Sequence, residues 1–224
     1  KWLVTASADS TARAWDLTAP DPAQAFKILR GHEEPVLALA FMPDGNLLAT
    51  GGFDTTTRLW NLDLPDPSAS SVVLRAHDDQ VLSVAFTPDR RFLITASRDA
   101  TIALWDFTMS DPSIAPLLLL GHEGAVRQVV VSAEGRFLLS GGDDSTARMW
   151  GLTQPLFPNE PVTLSGHTSV ARLTAFSPDN HWLATGSGDG TVRLWDMRSP
   201  DPASSPLVLR GHASAIFALG ISND

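Results

Sequence analysis

The sequence predicts an all-β fold assembled from repeated four-stranded antiparallel units, and three observations carry that prediction. A tryptophan recurs at positions 15, 60, 105, 150 and 195, always 45 residues apart. A Gly-His or Ala-His pair recurs at 31–32, 76–77, 121–122, 166–167 and 211–212, with the same spacing. Between these marks short apolar runs alternate with Gly, Pro and Asp turn residues, and no sustained helical period exists. Self-similarity at a fixed period in this range indicates a repeat architecture, so each motif is interpreted through the repeat.

The second period justifies the elements in order. Val36-Leu37-Ala38-Leu39-Ala40-Phe41 is a short apolar run, as in a strand buried on both faces. Met42-Pro43-Asp44-Gly45 is a turn, with Pro fixing φ and Gly supplying the permissive position. Leu47-Leu48-Ala49-Thr50 is the next strand, Gly51-Gly52-Phe53-Asp54 turns it, and Thr56-Thr57-Arg58-Leu59-Trp60 alternates as a third. Leu64-Pro65-Asp66-Pro67-Ser68 is a Pro-rich loop that no central strand could use. Val72-Val73-Leu74-Arg75 is the fourth strand. The clearest hairpin is residues 186–196, a small-residue turn around Asp189 followed by an alternating strand ending in Trp195-Asp196. A single four-stranded unit has two exposed faces and cannot bury its apolar positions, whereas units repeated around an axis bury them against each other. That arrangement is a β-propeller of four-stranded antiparallel blades.

Composition limits the function classes. The chain of 224 residues is long enough for a sizeable core, and 43% hydrophobic with 18% charged residues is an ordinary balance. The 16 Pro and 16 Gly fall at repeat-linked positions and mark turns. A net charge of −9 argues against nucleic acid or an anionic membrane as partner. There is no Cys, hence no disulfide and no thiolate metal site, which suits a cytoplasmic protein. No apolar run is long enough to span a membrane as a helix. The chain starts at Lys1 inside a predicted strand, so residues 1–224 are read as one propeller domain excised from a longer chain.

These Gly-His and Trp-Asp marks resemble the WD40-repeat family, and the resemblance covers the whole chain. Departures are few: Asn61 and Gly151 replace Asp after Trp, Ala76 replaces Gly before His77, and Val131-Ser132-Ala133-Glu134 replaces a turn like Phe176-Ser177-Pro178-Asp179. The resemblance implies a hydrogen-bonded line of His, Ser or Thr, Asp and Trp through each blade. The matching sets are His32, Thr50, Asp54 and Trp60; His77, Thr95, Asp99 and Trp105; His122, Ser140, Asp144 and Trp150; and His167, Thr185, Asp189 and Trp195. Imidazole, hydroxyl and indole N–H can be buried only when each finds a partner.

The fifth set is split. His212 has no downstream partners, and Thr5, Asp9 and Trp15 have no upstream His. They complete each other if a strand at residues 216–221 joins the sheet that begins at Trp2. The chain is one residue short of five whole periods, and Ser222-Asn223-Asp224 and Lys1 fall in the same hairpin turn. The expectation is a closed ring of five blades, the last shared by the N- and C-termini. A fragment of a larger propeller has the same phase and stays open as the alternative.

His, Ser/Thr and Asp together invite a catalytic-triad reading, but a nucleophile site is built once and this set recurs with a Trp that acyl transfer does not need. His181 lies in a turn beside Trp182, and no two His stand at metal-ligand spacing. Asp78-Asp79 and Asp143-Asp144 read as solvated turn residues. Gly186-Ser187-Gly188-Asp189-Gly190 lacks the Lys and following helix of a phosphate loop. No catalytic residue, metal or cofactor is therefore expected.

What varies between repeats points to binding. In the family, partner peptides dock around the channel mouth. Five residues after each His stand Leu37, Leu82, Arg127, Arg172 and Phe217; just before each tetrad Asp stand Ala8, Phe53, Arg98, Asp143 and Gly188. Of these, Phe53, Arg98, Arg127, Arg172, Phe217, Leu37 and Leu82 are the candidate partner-binding residues, because Arg and aromatics anchor interfaces and Arg suits a peptide carboxylate or phosphate. Arg13, Arg58, Arg148 and Arg193, two before four of the five Trp, are assigned to structure, paired to local carboxylates. The leading expectation is a non-enzymatic scaffold for protein or peptide partners. The alternatives are a sensor or regulatory module of a larger signalling protein (an NTPase or kinase), suggested by the missing Met and the cut strand and taken as bacterial from the regular period and close sister repeats, and an enzyme using the central channel.

Overall fold

The computed structural model describes residues 1–109, 111, 113–153 and 160–222. The chain forms two compact units, Lys1–Leu119 and Leu120–Asp224. The first unit holds three antiparallel sheets in chain order. They are β1 (Trp2–Ala6), β2 (Thr11–Asp16) and β3 (Phe26–Arg30); β4 (Val36–Phe41), β5 (Leu47–Gly52), β6 (Thr57–Asn61) and β7 (Val72–Leu74); and β8 (Val81–Phe86), β9 (Phe92–Ser97), β10 (Ile102–Asp106) and β11 (Leu117–Leu119). The second unit holds β12 (Val126–Val131), β13 (Phe137–Gly142), β14 (Ala147–Gly151) and β15 (Val162–Leu164), then β16 (Leu173–Phe176), β17 (Trp182–Gly186), β18 (Val192–Asp196) and β19 (Leu207–Leu209). Each sheet is a meander of sequential neighbours, the blade order of a β-propeller. Among the described residues the one helical segment is a 3₁₀ turn at Ser68–Ser70 in the Pro-rich loop, and no helix is long and apolar enough to cross a membrane.

Within each unit the core lies between successive sheets. Ala12, Ala14 and Leu29 of the first sheet pack against Leu48 and Trp60 of the second. Ala49, Leu59 and Leu74 of the second meet Val84, Phe86 and Trp105 of the third. In the other unit Leu139, Met149 and Leu164 meet Leu183 and Trp195. Trp60, Trp105 and Trp195 are fully buried, and such a side chain dominates the local burial energy. Stacking, not any single sheet, therefore buries the repeated Trp.

The fifth blade differs from expectation. The sheet led by Trp2 has three strands among the described residues, and residues 216–221 form no strand. That segment has no ladder partner in its own unit. It is held at its start, where the Ile216 N–H donates to the Ser187 carbonyl at 3.0 Å. The expected turn through Asn223 and Asp224 lies outside the described residues.

The hairpin turns at the tetrad Asp carry local strain. The residue after Asp is left-handed in all five: Ser10 (φ 67°), Thr55 (65°), Ala100 (71°), Ser145 (64°) and Gly190 (79°). A β-branched residue suits that region worst. Thr55→Gly is therefore expected to raise stability by about 0.5–1 kcal/mol in chemical denaturation, the relief of left-handed strain exceeding the entropy that Gly adds to the unfolded chain. A loss of stability would contradict it.

At three junctions the glycine before His explains the Arg two before the next Trp. Gly31, Gly121 and Gly166 have φ of +156°, +150° and +124°, and a Cβ there would sit 2.6, 2.9 and 2.8 Å from the guanidinium groups of Arg58, Arg148 and Arg193. These Arg lie across glycine rather than on carboxylates, with Arg58 donating to Ser71 Oγ (3.3 Å) and Arg193 to the Gly166 carbonyl (2.6 Å). The third blade carries Ala76 and Ala103 in the two places, so a side chain appears before His only where the Arg is gone. Gly121→Ala is expected to cost about 1–3 kcal/mol. Arg148→Ala in the same chain should recover part of that, with a coupling above about 0.5 kcal/mol in a double-mutant cycle. Additive effects would sink the explanation.

Candidate functional site

The tetrads of His32, His77 and His167 are built across blade junctions, and that of His122 lies within the second unit. His32 follows β3 of the first sheet, yet its ring is held by the second sheet. Its Nδ1 lies 2.9 Å from Asp54 Oδ2 and its Nε2 2.8 Å from Thr50 Oγ1, while the Trp60 indole N–H donates to the same Oγ1 at 2.8 Å. His77 lies 3.2 Å from Asp99 and 2.7 Å from Thr95, which accepts from Trp105 at 3.1 Å. His122 lies 2.8 Å from both Asp144 and Ser140, with Trp150 on Ser140 at 2.9 Å. His167 lies 3.0 Å from Asp189 and 2.9 Å from Thr185, with Trp195 on Thr185 at 3.1 Å.

One assignment of protons satisfies every group. The indole N–H donates to the hydroxyl, the hydroxyl donates to Nε2, and Nδ1–H donates to the carboxylate, which requires a neutral imidazole. Burial holds His32, His77 and His122 below their ordinary value in spite of the adjacent carboxylates. The Arg58 and Arg148 guanidinium groups push His32 and His122 the same way. For Asp54, Asp99 and Asp144, burial disfavours the charge. The backbone N–H groups of Glu33, Asp78 and Glu123, the Thr hydroxyls and the His outweigh it, and all three carboxyls lie below their ordinary value. Asp189 is lowered further by the same kind of contacts against the same penalty.

A fifth residue belongs to each set and was missed in the sequence. Thr56, Thr101, Thr146 and Thr191 each donate both backbone N–H and hydroxyl to the tetrad Asp, as Thr11 does to Asp9. The signal was present, since Thr stands two after Asp in all five periods. In the first sheet Trp15 reaches Thr5 only at 3.5 Å, and in the second unit His212 is exposed.

The variable positions stand at one end of the sheets. The register of β4 with β5 slips between Val36 and Ala38, that of β8 with β9 between Val81 and Ser83, and that of β12 with β13 between Val126 and Gln128. Leu37, Leu82 and Arg127 are thus the bulged residues, and a bulge re-aims its side chain. The pre-Asp positions are pinned beside them: the N–H groups of Phe53, Arg98, Asp143 and Gly188 donate to the carbonyls of Pro35, Gln80, Ala125 and Val170 at 2.8–3.0 Å. Leu37 is 43% exposed, Phe53 42% and Phe217 74%.

The three rim arginines are not equivalent. Arg127 makes a two-pronged pair with Asp143, its Nε 2.8 Å from Oδ1, and that hydrogen bond raises its pKa. Arg98 is exposed, with Asp79 3.9 Å away. Arg172 lies over the Phe217 ring at 5.6 Å, and its buried Nε has no partner. Among the described residues no three His, Asp or Glu are placed to hold a metal ion.

A family model described as WD domain, G-beta repeat (WD40) matches residues 24–61, 69–106, 115–151 and 159–196. Each match runs from the outer strand of one sheet, or the loop before it, to the Trp of the next, so it contains one His junction. WD repeat and SOCS box-containing protein 1 from Homo sapiens is 46% identical over 48 residues, 21% of this chain and 11% of that protein. The Xenopus tropicalis protein of the same name has the same identity and shares. Guanine nucleotide-binding protein subunit beta from Arabidopsis thaliana is 42% identical over 50 residues, 22% of this chain and 13% of that protein. The chain spans only a small fraction of the length of these relatives.

Proposed function

This chain belongs to the WD40 family, and from that premise we propose that it is a non-enzymatic, cytoplasmic scaffold that binds protein or peptide partners through the bulged ends of its inner strands. The residues assigned to that contact are Leu37, Phe53, Leu82 and Arg98 in the first unit and Arg172 and Phe217 in the second. Arg127, already closed on Asp143, takes part as a pair. One observation carries the reading. The repeated polar residues are consumed in the hydrogen-bonded sets, while the bulge and pre-Asp positions change type from blade to blade and leave Leu37, Phe53 and Phe217 in solvent. Exposed apolar side chains beside sheets whose repeated polar groups are hydrogen-bonded mark a contact surface in each unit by itself. Pull-down with the wild-type chain and with Phe53, Arg98, Arg172 and Phe217 each changed to Ala tests it. The expected result is loss of captured proteins from the folded Phe53 and Arg98 variants for the first unit and from the folded Arg172 and Phe217 variants for the second, and unchanged capture would refute the assignment.

A further inference from the structure

We propose that the rim of the first unit takes a basic–apolar peptide segment, one carrying Lys or Arg on either side of an apolar residue, rather than an acidic or phosphorylated one. This rests on the docking role proposed above and names the partner's chemistry.

The apolar element is Leu37 with Phe53, both more than two-fifths exposed. The Phe53 N–H on the Pro35 carbonyl, 2.8 Å, fixes Phe53 beside the segment that leads into Leu37. The acidic element surrounds it. Glu33 and Glu34 immediately precede Pro35, and Asp78 occupies the matching place in the next blade; all three are exposed. The two blades meet here, since a Cβ on Gly51 would lie 2.5 Å from a Val81 methyl and 3.3 Å from the Val81 carbonyl. The loop carrying Asp78 therefore stands next to the turn carrying Phe53.

Among the described residues Glu33, Glu34 and Asp78 make no ion pair. Arg98, at this rim, lies 3.9 Å from Asp79, and Arg58 and Arg75 line a small cavity with Glu33. An incoming carboxylate or phosphate would meet Glu34 and Asp78, which make no ion pair among the described residues, to gain one partly compensated guanidinium. An incoming Lys or Arg would meet the carboxylates, while its apolar neighbour covers Leu37 and Phe53. Like charges brought together at a contact are penalised, and complementary ones steer encounter.

Fluorescence anisotropy with three labelled peptides of one length tests the proposal: Leu alternating with Lys, with Glu, and with Ser. The wild-type chain is expected to bind the Lys–Leu peptide at least about tenfold more tightly than the Ser–Leu peptide at physiological salt, and the Glu–Leu peptide least. The double variant Glu34→Lys/Asp78→Lys should lose most of that preference. Asp21→Lys/Asp63→Lys, with the same net charge but substituted away from the rim, should keep it. Equal loss in both double variants, or tighter binding of the Glu–Leu peptide, would overturn the partner class while leaving docking intact. Leu37→Ala/Phe53→Ala should weaken all three peptides. If that variant, still folded by its thermal melt, binds as wild type, the docking role itself fails.

Discussion

Thr95→Val is expected to be among the most damaging conservative substitutions in the chain, costing about 2–6 kcal/mol. Val matches Thr in shape, so the change isolates the hydroxyl. That oxygen lies 2.7 Å from His77 Nε2 and 3.1 Å from Trp105 Nε1, and all three residues are buried. Removing it orphans an acceptor and a donor at once, each worth about 1–3 kcal/mol when left buried and unpaired. Whole domains are stable by roughly 5–15 kcal/mol, so the loss is a large fraction of the total. Thr5→Val supplies the control. Its oxygen is 3.5 Å from Trp15, too long for a full hydrogen bond, so it should cost less than about 1 kcal/mol. Urea denaturation of the two variants measures both, and equal losses would show that the hydroxyl relay is not what the blades depend on.

The second large effect is acid sensitivity. His32, His77 and His122 lie below their ordinary value of 6.5 in the folded chain, first because burial penalises the imidazolium. As pH falls below about 6.5 the unfolded chain takes up protons that the folded chain refuses, so stability declines. Asp54, Asp99 and Asp144 lie below 3.8 when folded, where their hydrogen bonds overcome burial. Their contribution is present above that value and is lost as pH falls further. The melting temperature is therefore expected to be level from pH 8 to 7, to drop from about pH 6.5, and to drop again below pH 4. His77→Gln should reduce the first drop. A melting temperature that rises between pH 7 and 5 would mean that the imidazoles are charged in the fold and that the proton assignment is wrong.

Most of the fold was legible because its signals are local and recur five times. The 45-residue spacing, the turns at Pro43-Asp44, Pro88-Asp89 and Pro178-Asp179 and the Trp-ended strands each state the same element repeatedly. Two features were not legible. Whether residues 216–221 form a strand depends on a ladder partner far away in sequence, and periodicity speaks only for the segment's own pattern. The place of Arg58, Arg148 and Arg193 depends on a glycine 27 residues earlier, visible in the sequence only as the joint change to Ala76 and Ala103. At the rim, position was readable and charge state was not. Arg127 and Asp143 were both placed there as separate side chains, and only the bulge that turns Arg127 toward Asp143 makes them one neutral pair.

The central claim is a division of labour, in which repeated residues hold the blades and variable rim residues are free for contact. Thermal melts of Leu37→Ala/Phe53→Ala beside Thr95→Val test it most directly. At about 2–4 °C per kcal/mol for a chain of this size, Thr95→Val is expected to melt roughly 5–20 °C below wild type and the rim variant within about 4 °C of it. A rim variant that melts as low as Thr95→Val would contradict the account, because Leu37 and Phe53 would then belong to the structure that holds the blades.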